Sequence, residues 1–88
     1  MNAVFADTGF WVALLLSGDR WHQKTIALSL FLESQKTVII TSEIVWVEYR
    51  NFFTRFSATI RQRAVQTVLQ MRQHPNVIIA PASSELFE

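Results

Sequence analysis

The stretch Thr37-Val38-Ile39-Ile40-Thr41 is β-branched at every position. Such side chains are stiff at χ1 and fit a pleated surface better than a helix. The segment is therefore expected to be a strand, and its unbroken apolar centre a buried one. Two other short apolar segments give the same signal: residues 2–6, and Val77-Ile78-Ile79-Ala80, which Pro81 ends. Everything between them reads as helix. Thr8 can cap a helix over 9–17 that Ser17-Gly18 closes. Asp19 can cap a second over 20–35, with Ile26 and Leu30 inward. Ser42 can cap a third over 43–56, with Glu43 in the first turn, where the helix dipole favours an acid. Ser57 or Thr59 opens a fourth over 60–73, stopped by His74-Pro75. Residues 83–88 read as the first turn of a further helix.

The order is therefore β-α-α-β-α-α-β plus the start of a helix. Buried strands alternating with helices predict an α/β fold: a three-layer α/β/α domain with a parallel sheet covered on both faces. The 88 residues make one domain, 1–88. A chain this short buries a modest share of its surface, so it must be well packed or completed by association. Half the residues are hydrophobic, which excludes a disordered chain. Without cysteine there is neither a disulfide framework nor a thiolate metal site. A net charge of +1 is too small to bind polyanions by bulk charge. The apolar run Phe10–Leu16 is far short of the roughly 20 residues needed to span a bilayer. It also lacks the basic flank and cleavage site of a signal peptide. The expectation is a soluble, cytoplasmic protein without membrane contact.

Two carboxylates stand out against this pattern. In parallel sheets, functional groups collect beyond the carboxyl ends of the strands. Asp7 directly follows the first strand, so it is expected on that rim. Along the third helix, Ile44, Val45, Glu48, Phe52 and Phe56 share one stripe, with Glu43, Arg50 and Thr54 opposite. Glu48 is thus expected on the inward face, where a bare carboxylate demands a compensating partner. Taken singly, Asp7 reads as a turn or capping residue and Glu48 as paired to Arg50, Arg55 or a backbone amide. Together they suggest a hard-oxygen site suited to Mg²⁺ or Mn²⁺.

The chain resembles the amino-terminal part of a PIN domain, of the compact kind found in VapC toxins. The resemblance rests on "VFADTGFWVALL", "GDRWHQKTIAL" and "VIITSEIVWVEYRNFF", with "PNVIIAPASSELFE" similar to the third strand and the helix after it. The family motifs fall on Asp7-Thr8, on Asp19 to His22, on Thr41-Ser42 and on Glu48. Each is weak alone; their order and spacing are specific.

The resemblance implies a Mg²⁺- or Mn²⁺-dependent endoribonuclease, the toxin of a toxin–antitoxin pair, with RNA as substrate and an antitoxin as partner. It implies Asp7 and Glu48 as metal ligands and catalytic residues, with Thr8 and Asn51 supporting them. The family carries further acids after its third strand, and only Glu85 and Glu88 follow here, at unmatched spacing. A truncated domain is therefore expected, with weak metal affinity and impaired activity. Its first strand should be an open edge, which predicts a homo-oligomer or completion by another chain. The alternative function is a non-catalytic module that oligomerises or binds a partner.

Other residues are read more plainly. His22 is expected to cap or pack, and His74 to meet the end of its helix. Trp11 is expected in the core. Trp46 and Phe53 lie off the Glu48 stripe, which suggests an interface or packing on the fourth helix. Arg55, Arg61 and Arg63 surround the turn between the third and fourth helices, where they can contact phosphates or simply face solvent.

Overall fold

The computed structural model describes residues 2–81. The three β-rich segments form β1 (Ala3–Phe5), β2 (Val38–Ser42) and β3 (Val77–Ala80). They make one parallel sheet in the order β1-β2-β3. Phe5 stands beside Ile40, and Ile40 beside Ile78. The intervening helices are α1 (Thr8–Leu15), α2 (His22–Ser34), α3 (Glu43–Phe52) and α4 (Ala58–Gln73), with a 3-10 turn at Phe53–Arg55 between the last two. The expected helix at 83–88 lies outside the described residues.

Both crossovers step the same way across the sheet. Right-handed connections then place their helices on the same face. Side-chain alternation agrees. Ile39 and Ile79 pack into the core with α1, α3 and α4. On the opposite side of the sheet, Phe5 is 63% exposed and Ile78 51%. Among the described residues the sheet is thus covered on one face, where the strand pattern suggested cover on both. Among the described residues β1 is an edge strand, in line with the expected open edge.

The core is a chain of aromatic rings. Trp11 meets Trp46 at 4.7 Å between centroids, Trp46 meets Tyr49 at 5.2 Å, and Tyr49 meets Phe53 at 4.8 Å. Burying side chains of this size stabilises by about 2–3 kcal/mol each. That gain sets the rotation of α3. Its inward residues are Val45, Trp46 and Tyr49, and Phe53 continues the face into the 3-10 turn. Two expectations are corrected. Trp46 and Phe53 are core residues, 4% and 2% exposed, and are not available as an interface. Glu48 is exposed rather than inward, and Phe52 is also largely exposed. Trp46 and Tyr49 take the buried side of α3, so Glu48 stays in solvent and needs no compensating partner.

Helix ends differ from the sequence pattern by a residue or two, except that α3 stops at Phe52 and passes into the 3-10 turn where the pattern carried it to 56. Asp7, not Thr8, caps α1: its Oδ1 accepts the Phe10 amide at 3.1 Å. α2 starts at His22, and Asp19 shapes the turn before it by accepting the Trp21 amide at 2.8 Å. Ser42 and Ser57 cap α3 and α4 as expected. Glu43 does more than sit at a favourable dipole. It forms a two-pronged ion pair with Arg72, both contacts at 2.7 Å, which ties the start of α3 to the end of α4.

Candidate active site

The carboxyl end of β1 is fixed by one buried hydroxyl. Thr41 is fully buried on the helix-covered face of β2. Its Oγ1 donates to the Ala6 carbonyl at 2.9 Å and accepts from Trp11 Nε1 at 3.2 Å. The Ala6 amide donates to the Ile40 carbonyl at 2.8 Å. Ala6 is therefore held from both its amide and its carbonyl, and Asp7 follows it directly onto the rim. Asp7 is exposed, and Oδ2 takes no hydrogen bond among the described residues. One carboxylate oxygen is thus fixed by the helix cap, and the other is without a hydrogen bond among the described residues.

Glu48 lies in the second turn of α3, the helix that leaves the neighbouring strand β2 directly through Ser42. It is exposed and makes no ion pair among the described residues. Asp7 and Glu48 thus sit on adjacent β–α units that pack together through Trp11 and Trp46. Both offer hard carboxylate oxygens, which suits Mg²⁺ or Mn²⁺ in kind. Mg²⁺ commonly takes one or two carboxylates and keeps several waters. Among the described residues no group of three or more His, Cys, Asp or Glu side chains gathers at one point. The donors available on these two units are therefore carboxylates alone, and among the described residues they are not joined by a third ligand.

Thr8 follows Asp7 as the first residue of α1. Asn51 is exposed one turn beyond Glu48, and its carbonyl accepts from Thr54 Oγ1 at 2.8 Å. Arg55, Arg61 and Arg63 are all exposed around the α3–α4 turn. Arg61 is engaged: Nη1 donates to the Phe56 carbonyl at 2.7 Å. His22 Nδ1 donates to the Ala13 carbonyl at 2.7 Å, so it locks α2 to α1. His74 caps α4, and its Nδ1 accepts the Asn76 amide at 3.1 Å. Tyr49 donates to the Ala64 carbonyl, and burial pushes its phenol up to about 12.

Three features escaped sequence reasoning. Thr41 gave a faint signal, a hydroxyl at the inner face of an apolar strand. The Glu43–Arg72 pair gave none, because it depends on how two helices cross. The third is Trp21, exposed at 48%, with the Arg20 guanidinium 4.7 Å from its ring and the Lys24 ammonium 5.1 Å away. A bulky aromatic between two cations at a helix start was its signal.

Comparison with known proteins adds context. The family model described as PIN domain matches residues 4–88. Among solved structures, the crystal structure of Mycobacterium tuberculosis VapC20, a toxin that cleaves the sarcin-ricin loop, superposes with a TM-score of 0.70 at 26% identity. The match covers 93% of this chain and 58% of that one, so the chain spans little more than half the length of this neighbour. No curated protein matches the sequence significantly. Among the described residues no helix is long and apolar enough to cross a membrane.

Proposed function

The chain belongs to the PIN domain family, and on that premise we propose that it acts as a VapC-like, divalent-metal-dependent endoribonuclease in the cytoplasm, with an antitoxin as its protein partner. The observation that carries this reading is Asp7, an exposed carboxylate just beyond the carboxyl end of β1, with one oxygen capping α1 and the other without a hydrogen bond among the described residues. Asp7 and Glu48 are the proposed ligands of Mg²⁺ or Mn²⁺ and the proposed catalytic residues. The chemistry such an ion supplies is activation of a water toward the phosphodiester and relief of charge at the scissile phosphate. The Phe10 amide holds the Asp7 carboxylate in one orientation. Thr8 orients that carboxylate or a water beside it, and Asn51 supports Glu48 from the next turn. Arg55 and Arg63 contact substrate phosphates; Arg61 does so less freely, because it is bound to the Phe56 carbonyl.

RNA cleavage by the purified chain with and without Mn²⁺, repeated with Asp7→Asn and Glu48→Gln, tests the reading. Cleavage is expected only with the ion, and a reduction of at least tenfold in each variant. Equal cleavage by all three proteins contradicts it.

A second reading has its own support. The β1 edge and the row Phe5, Ile40, Ile78 leave apolar surface uncovered among the described residues. A non-catalytic module that oligomerises or is completed by another chain would use that surface. Metal-independent association without any cleavage favours this reading over the first.

A further inference from the structure

The α1–α2 turn carries a feature that the ribonuclease reading does not use. Trp21 opens α2 with nearly half its surface in solvent. Arg20 and Lys24 both approach its ring, and neither is in an ion pair among the described residues. The nearest acid, Asp19, is occupied by the Trp21 amide. Trp21 and Lys24 line a shallow cavity of about 290 Å³ whose floor includes Phe10 and Leu28. Gly9, in the first turn of α1 and two residues after Asp7, also lines it. The cavity therefore joins Trp21 and Lys24 to the first turn of α1, the turn that Asp7 caps.

We propose that Trp21, with Arg20 and Lys24, is a binding subsite for single-stranded RNA, taking a nucleobase and its phosphate next to the scissile bond at Asp7. The inference rests on the ribonuclease reading and names the residues that select the substrate. An exposed indole, or a guanidinium stacked on one, offers a π face to any base. Lys24 and Arg20 supply the cations that a backbone phosphate requires. The apolar cavity between them and Asp7 accepts a base edge and leaves the phosphate at the polar rim. Net charge on the whole chain is only +1, so such binding has to come from a local cluster of this kind.

The test is fluorescence anisotropy of a short fluorescein-labelled oligouridine with wild type, Trp21→Ala, Trp21→Tyr and Lys24→Gln, in EDTA to prevent cleavage. Trp21→Ala is expected to weaken binding about tenfold, the scale of one lost base stack. Trp21→Tyr should stay within about twofold of wild type, since it keeps a π face. Lys24→Gln should flatten the dependence of log Kd on log salt by about 0.7, one phosphate's worth on a single strand. Should Trp21→Ala melt early, the tyrosine and lysine variants decide. Equal RNA affinity in all variants overturns the subsite and leaves the ribonuclease reading standing. Loss of self-association in Trp21→Ala at unchanged RNA affinity also overturns it, and assigns the surface to a protein contact. If wild type binds no RNA at all, both readings fall.

Discussion

Thr41 shows how one side chain positions a site it does not belong to. Its hydroxyl joins the end of β1, the indole of α1 and the inner face of β2. Thr41→Val keeps the shape but strands the Trp11 N–H and the Ala6 carbonyl in the core. That is expected to cost about 2–4 kcal/mol, measured by urea denaturation. Thr41→Ser keeps both bonds, removes a methyl group and should cost only about 1 kcal/mol. Equal losses in the two variants would mean that packing, not the hydroxyl, holds β1. The Trp46 indole gives a useful contrast, since its buried N–H has no partner among the described residues. Its place in the core rests on ring packing alone.

At the scale of elements, α3 carries the most consequence. Its start is tied to α4 by Glu43 and Arg72. The hydrogen bond from Arg72, more than its charge, holds the Glu43 carboxyl below the ordinary glutamate range. A carboxylate depressed by folding stabilises above its unfolded pKa, and that contribution is lost as pH falls through the folded value. Both side chains are part-exposed, so solvent screening limits the pair to about 0.5–1 kcal/mol. Glu43→Gln should therefore lower stability near neutrality by that amount and converge with wild type in the acid range. A constant gap at all pH values would rule out the ion pair as the cause. Strand identity and helix order were legible in the sequence because β-branched runs and Ser caps are local signals. The rotation of α3 was not. Counting apolar positions treated Ile44 as an equal of Trp46 and left out Tyr49, whereas Trp46 and Tyr49, one turn apart, set the buried side and Phe53, not Phe52, continues it. Asp7 was legible as a rim residue because it follows a strand. Its capping bond depends on where the helix starts, a matter of one residue.

For the whole molecule, the sheet is the unbalanced part. All four described helices lie on one face, and among the described residues β1 is an edge with no neighbour, without a charge or proline in Ala3–Phe5. Phe5, Ile40 and Ile78 form an apolar row on the other face. Such a surface predicts association of the 88-residue chain. Light scattering should give a mass above that of one chain, and Phe5→Ser should reduce it. A monodisperse monomer with a cooperative melt would contradict that expectation.

The proposal that Asp7 and Glu48 act on one ion is tested most directly by a crystal structure grown with Mn²⁺, using its anomalous signal. A single Mn²⁺ bound by Asp7 Oδ2 and by the Glu48 carboxylate, each at about 2.0–2.2 Å, is the predicted result. Manganese held by only one of the two, or by neither, would contradict it.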